Sequence, residues 1–219
     1  MRPLLIVALS LLVASPAFAG DKHAKRFNEA KTIVEDLGSQ ITEDTWKQAR
    51  CTTVLHIGKG GFLFGGTGGW GVVTCREEGG VWSPPAILKA GGPTFGAKIG
   101  GAKVQVLMVF VDLNDIDKVV HATPVFQNTA QATAGPKGVG VSGGGNPVLA
   151  GGVVSVSQSS GLYAGATWEG LVIEPDEKEI KRLYGEGVGP ADVLVKPSVS
   201  MPEAAKALTA AITKRAPKK

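Results

Sequence analysis

The chain has 219 residues, a formal charge of +4 and 31 glycines. That length suits one domain with its own core. Arg2 belongs to a leader, and Lys214, Arg215, Lys218 and Lys219 stand together at the C-terminus, so the body between is near neutral. A folded surface without a basic stripe excludes a nucleic-acid binder, while a small patch of lysines suffices for weak attraction to an acidic membrane.

Residues 1–19 read as a cleaved signal peptide: Arg2, an apolar run from Leu4 to Val13, then Ala17-Phe18-Ala19 before the cut. The run is short for a bilayer span. The expected product is a periplasmic or secreted domain over residues 20–213, with a basic, disordered tail over 214–219. Cys51 and Cys75 have two readings in an oxidising compartment, a disulfide or two buried thiols.

From Asp21 to Leu37 the apolar positions Ala24, Phe27, Ala30, Ile33 or Val34, and Leu37 recur at helical spacing, and Gly38 stops the run. The polar face opens with Lys22, Lys25, Arg26 and Lys31, a composition used by docked helices and by membrane-surface helices alike. Thr42 caps a short helix from Glu43 to Arg50. Thr52 to Ile57 reads as a strand leading into Gly58 to Cys75, where glycines alternate with aromatic and β-branched residues. With Trp82-Ser83-Pro84-Pro85 after it, this stretch predicts a packed β-hairpin region, its aromatics Phe62, Phe64, Trp70 and Trp82 in the core or at a sheet rim.

Further strands are expected over Thr94 to Ile99 and Lys103 to Val111, and a short helix from Asp112 or Asn114 to His121. A small-residue stretch from Gln127 to Val141 turns at Gly135-Pro136-Lys137-Gly138, and Gly143 to Pro147 is a loop. Strands follow at Val153 to Ser157, Leu162 to Trp168 and Gly170 to Ile173. Asp176 caps a helix over Glu177 to Tyr184, ended by Gly185. Pro190 to Val195 reads as extended or a short turn. Ser200 caps the last helix, with Pro202 in its first turn. The sum is an α+β single domain: a twisted, mainly antiparallel sheet, open or partly closed into a barrel, with short helices at both ends.

Motifs for chemistry do not survive their contexts. At this glycine content a dinucleotide fingerprint arises about 0.6 times per chain by chance, and neither match, at Gly66 or at Gly138, opens a helix. Gly140-Val141-Ser142-Gly143-Gly144 spells a nucleophile elbow, but no His follows His121 and no helix follows Ser142. His23, His56 and His121 match no zinc spacing. Asp112, Asp115 and Asp117 lack the glycine and final Glu of a calcium loop. The expectation is a non-enzyme without metal or cofactor.

Gly60 to Pro84 carries Gly-Phe-x-Phe-Gly, Gly-x-Gly-Trp-Gly-Val-Val and Trp-Ser-x-Pro. Ala134-Gly135-Pro136-Lys137-Gly138, Ser159-Ser160-Gly161-Leu162-Tyr163-Ala164-Gly165 with Trp168-Glu169-Gly170, and Leu183-Tyr184-Gly185 follow in order. Together these resemble the SYLF domain family over about residues 27 to 212. Arg50-Cys51-Thr52-Thr53-Val54 departs from that pattern: relatives carry an Ala-Lys-Gly-x-Ala-type run there, and Arg50 or Lys59 would have to replace the lysine.

The resemblance implies lipid binding, phosphoinositides in eukaryotic members, and actin binding in members linked to SH3 domains. For a bacterial-type exported member the expected partner is an anionic phospholipid or membrane surface. The residues expected to meet it are Lys22, Lys25, Arg26, Phe27, Lys59 and Lys137. The alternative is an envelope structural or protein-interaction module.

Overall fold

A computed structural model describes residues 17–77, 79–112, 124–143, 152–195 and 197–217, with the backbone alone described for 17–21, 95–98, 124–143 and 161–170. The helix expected to end at His121, and the loop beyond Gly143, lie outside the described residues. Helices α1 (Ala17–Leu37) and α2 (Glu43–Gln48) precede four long strands: β1 (Cys51–Cys75), β2 (Ala86–Phe110), β3 (Pro124–Gly143) and β4 (Val153–Pro175). Helices α3 (Glu177–Tyr184), α4 (Pro190–Leu194) and α5 (Lys206–Arg215) follow. The strands form one antiparallel sheet in the order β1-β2-β4-β3. The domain is α+β, with helices at both ends of the chain.

The strands are longer than the sequence pattern suggests. The separate segments expected over 94–99 and 103–111 are parts of β2, and those over 153–173 are parts of β4. Glycines that read as breaks are positions where a strand bends without ending. A straight strand of 25 residues would span about 80 Å, yet the Cα atoms of Cys51 and Cys75 are 4.0 Å apart. β1 therefore doubles back, its halves running antiparallel in contact.

Glycine makes that contact possible. A Cβ on Gly69 would lie 2.8 Å from Ile57 Cα and closer still to the His56 carbonyl oxygen, and one on Gly71 would lie 2.7 Å from the Val54 carbonyl oxygen. The turn falls between Gly61 and Gly65. Gly61 has φ +144, and a Cβ there would meet Gly65 Cα at 2.7 Å. Leu63 has φ 58, the one non-glycine at positive φ among the described residues.

β2 tracks β1 through the bend. Its register runs from Cys51↔Phe110 to Phe62↔Ile99, slips, and resumes from Phe64↔Phe95 to Val73↔Ala86. At the base a disulfide joins Cys51 to Cys75, and the Arg76 amide donates to the Arg50 carbonyl (2.6 Å). Ser83 closes the β1–β2 connection: its hydroxyl accepts from the Cys75 amide (3.1 Å), and its carbonyl accepts from the Thr74 hydroxyl (2.6 Å).

The core lies between the base of the sheet and the helices. α1 contributes Phe27, Ala30, Ile33, Val34 and Leu37, and the strands contribute Val54, Leu55, Ile87, Leu88, Leu107 and Phe110, all nearly or fully inaccessible. α3 and α5 add Ile180, Leu208 and Ile212. Each large side chain so buried is worth about 1.5–3 kcal/mol. Thr42 caps α2 by accepting from the Thr45 amide (3.3 Å), and Trp46 Nε1 donates to the Gly38 carbonyl (3.0 Å). Trp82 is buried and Trp70 half-buried.

Two helical details differ from expectation. Residues 190–194, expected to be extended or a turn, form α4, with Pro190 at its start and Asp192 accepting from the Gly189 amide (2.8 Å). The last helix begins later than a Ser200 cap implies, with a 3-10 turn over Glu203–Ala205 preceding α5.

Candidate functional site

The residues expected to meet lipid fall into two separate places. Phe27 is 1% exposed and packs in the core, so it presents nothing at an interface. Lys22 and Arg26 turn inward to Glu179 of α3. Lys22 Nζ lies 3.1 Å from Glu179 Oε1, Arg182 Nη1 donates to the same oxygen (2.6 Å), and His23 Nε2 donates to Oε2 (3.0 Å). Arg26 sits 4.0 Å from Oε2 and over the Trp70 ring at 5.6 Å.

Burial pushes the Glu179 carboxyl up, but Lys22 and Arg182 outweigh it and hold it below the usual carboxylate range. Burial pulls the His23 imidazole below its ordinary value, against the raising pull of the Glu179 hydrogen bond. Its Nδ1 is buried without a hydrogen-bond partner. This cluster fastens α1 to α3. Of that basic face Lys25 is exposed and, among the described residues, has no ion pair.

The second place is the sheet. The half leading from the disulfide to the bend comprises residues 51–62, 99–110, 134–143 and 153–164. It contains Lys59, Lys103 and Lys137 and no Asp or Glu. Register brings the backbone positions of these lysines to nearly one level of the sheet, with Lys59 and Lys103 one step apart and so on opposite faces. Lys59 is opposite Ala102, Lys103 lies between Gly58 and Ser160, and Lys137 falls in the irregular step between Gly135↔Gly161 and Gly138↔Ser159. Lys59, Gly101, Ala102, Lys103 and Ser160 line a shallow cavity of about 470 Å³. The other half of the sheet balances its charge: Lys89 pairs with Glu174 at 2.9 Å, and β4 adds Glu169 at the register of Thr94.

Lys103 is a residue that sequence reasoning misses. It sits in an alternating strand like any solvent-facing lysine, and its place at the level of Lys59 and Lys137 depends on strand order. At the bend beyond these lysines, Phe62 (68%), Leu63 (50%), Phe64 (71%) and Ile99 (62%) are exposed. Phe62 and Phe64, expected in the core or at a sheet rim, stand exposed at the turn of the doubled strand and not in the core.

A second basic cavity, of about 320 Å³, lies at the disulfide end and is lined by Lys47, Arg50, Arg76 and Glu77. Arg76 is committed to structure: it donates to the Ala216 carbonyl (2.7 Å) and covers the Trp82 ring at 5.1 Å. Burial, with Arg50 nearby, lowers its pKa from the ordinary guanidinium value. Lys47 is engaged by Asp44. Among the described residues no three His, Cys, Asp or Glu side chains converge as metal ligands, and no helix is long and apolar enough to cross a membrane.

Comparison with known proteins gives a consistent picture. The family described as "Ysc84: Las17-binding protein actin regulator" matches residues 91–215. The chain is 32% identical to LAS seventeen-binding protein 3 of Saccharomyces cerevisiae over 67% of its own length and 32% of that protein's. It is 28% identical to Protein YSC84 of the same yeast, over 78% of the chain and 37% of the relative. With the human SH3 domain-containing YSC84-like protein 1 the identity is 27%, over 67% and 43% respectively. The chain thus spans less than half the length of these relatives. No solved structure matches it.

Proposed function

This chain belongs to the Ysc84 family of Las17-binding actin regulators, and from that premise we propose that it is a non-catalytic module that binds an anionic lipid surface. The relatives are named for a binding partner or a domain, not for a reaction. The observation that carries the lipid reading is the set of lysines Lys59, Lys103 and Lys137 near one level of an acid-free half-sheet, with Lys59 and Lys103 lining a shallow cavity. Lysines are compact point charges on flexible stems, suited to the phosphates of a fluid headgroup layer. Each one near an anionic surface is worth about 1 kcal/mol. With residues 1–19 read as a leader, the domain would be exported and act at an envelope membrane. In this reading the basic start of α1 plays a lesser part, because Lys22 and Arg26 are engaged by Glu179.

Co-flotation with vesicles tests this. The full chain should float with vesicles containing about a third phosphatidylglycerol and stay behind with pure phosphatidylcholine. Equal behaviour with both would refute the reading.

The names of the yeast relatives favour a second reading, a protein-binding module. It predicts a stoichiometric protein partner on purification and indifference to vesicle charge.

A further inference from the structure

We propose that the cavity at the closed base of the sheet is an oxyanion site in which Arg50 and Arg76 together hold a phosphate monoester. The site stands apart from the sheet lysines and does not depend on the anionic-surface reading.

The two ends of one strand bring the arginines together. β1 doubles back, Cys51 is bonded to Cys75, and one step further out the Arg76 amide donates to the Arg50 carbonyl (2.6 Å). Arg50 and Arg76 are thus cross-strand neighbours. Like charges directly opposite one another on paired strands are destabilising, and here nothing relieves them: among the described residues no carboxylate pairs with either guanidinium. Burial, and after it the charge of Arg50, lowers the Arg76 pKa. A charge repulsion retained at the wall of a cavity points to a ligand of opposite sign.

Arg76 is set in place before any ligand arrives. Its Nη2 donates to the Ala216 carbonyl (2.7 Å), and its guanidinium lies over the ring of Trp82 at 5.1 Å, the residue it bridges across the β1–β2 connection. The carbonyl takes one of five N–H donors. Nε is buried without a hydrogen-bond partner, a costly state for a donor. Arg50 stands exposed at the rim of the same cavity, so one guanidinium is fixed and the other can close on what it meets. The turn after β1 completes the wall. The Glu77 amide donates to the Val81 carbonyl (2.8 Å) and the Gly80 amide to the Glu77 carbonyl (3.0 Å). Gly79 and Gly80, both at positive φ, line the cavity with backbone alone.

Shape and charge select the ligand. The cavity holds about 320 Å³, more than a bare ion fills, so the bound group carries an organic body. A guanidinium meets an oxyanion through two parallel N–H donors. A carboxylate has two oxygens, which a single fork saturates. A phosphate monoester has three terminal oxygens and close to two charges at neutral pH, enough for two forks. Lys47 at the rim is shared with Asp44, and Glu77 sets one negative charge in the wall. The two arginines therefore carry the recognition, and a singly charged ligand gains little.

The test is calorimetric titration of the full chain with glycerol 3-phosphate at constant ionic strength. Saturable binding with a dissociation constant below about 1 mM is expected, with inorganic phosphate competing. Dimethyl phosphate, a diester with one charge, and acetate should bind about tenfold more weakly or not at all. Arg50→Gln should weaken binding by about tenfold or more. Arg50→Lys, which keeps the charge and removes the fork, should fall between. Glu77→Gln should tighten binding by about threefold, a gain that misfolding cannot produce. Arg50 is exposed, so its variants should melt with the parent. Lys59→Gln/Lys103→Gln should leave the titration unchanged.

Vesicles identify the source of the phosphate, since phosphatidic acid presents a monoester and phosphatidylglycerol a diester. A preference for phosphatidic acid that Arg50→Gln abolishes assigns the site to a lipid headgroup. Binding in solution without that preference assigns it to a free phosphomonoester. Four results would overturn the site: no saturation by about 10 mM glycerol 3-phosphate together with no preference for phosphatidic acid; binding that Arg50→Gln leaves unchanged or Arg50→Lys fully restores; acetate matching glycerol 3-phosphate; or loss of the titration in Lys59→Gln/Lys103→Gln.

Discussion

Replacing both cysteines tests the doubled strand directly. Cys51 and Cys75 lie 24 positions apart in sequence and close the two ends of β1. Removing that link releases the unfolded chain from a loop of about this size. The loop-entropy relation then gives a loss of about 3.5 kcal/mol at 25 °C. Cys51→Ala/Cys75→Ala is the suitable change, since both positions are buried and serine would place hydroxyls where no water reaches. With a denaturant slope of about 2 kcal/mol per molar urea for a domain of this size, the midpoint should fall by roughly 1.7 M. The assay is urea unfolding followed by tryptophan fluorescence, which Trp46 and Trp82 report from the interior. Beforehand, the parent denatured without reductant should show no free thiol. Two thiols, or a midpoint shift below about 0.5 M, would refute the closed base.

Other changes probe the remaining contacts. Gly69→Ala pushes a Cβ onto the backbone of residues 56 and 57 and should cost about 3 kcal/mol or more in a thermal melt, whereas Gly68→Ala, which meets nothing within 4 Å, should stay within about 1 kcal/mol of the parent. Glu179→Gln leaves Lys22, His23, Arg26 and Arg182 around a neutral amide and should destabilise by about 1–3 kcal/mol, read from chemical denaturation at pH 7. Stability should fall with acid in two windows. The lowered His23 pKa contributes above 6.5 and is lost as pH drops through that value towards the folded one. The lowered Glu179 pKa contributes above 4.5 and is lost below it. Melting temperatures at pH 7.5, 5.5 and 4 check the sign, and a rise on acidification would contradict it.

The helices were the most legible part of the chain, because amphipathic spacing is a local signal. Phe27, Ala30, Ile33, Val34 and Leu37 are buried as their periodicity predicts, and Thr42 and Asp176 cap as read. The strands were legible as to type and misread as to length. Gly91-Gly92 and Gly100-Gly101 look like turns, but within β2 they sit opposite Gly68-Thr67 and Gly61-Gly60, where small residues let paired strands bend together. The set of sheet lysines was half legible. Lys59 and Lys137 stand out beside glycines, while Lys103 joins them only through a register that depends on contacts some 45 residues apart. Phe27 was misassigned because a phenylalanine at the start of a basic helix suits a membrane face and a core face equally, and its burial depends on core partners distant in sequence.

The central claim is that the sheet lysines, more than the first helix, meet an anionic surface. Its most direct test is the partition constant of Lys59→Gln/Lys103→Gln on anionic vesicles at 0.1 M salt, beside that of Lys22→Gln/Lys25→Gln. At about 1 kcal/mol for each lysine at the surface, the first pair should bind roughly thirtyfold more weakly than the parent and the second pair should bind as the parent does. Loss of binding in the helix pair with none in the sheet pair would contradict the account.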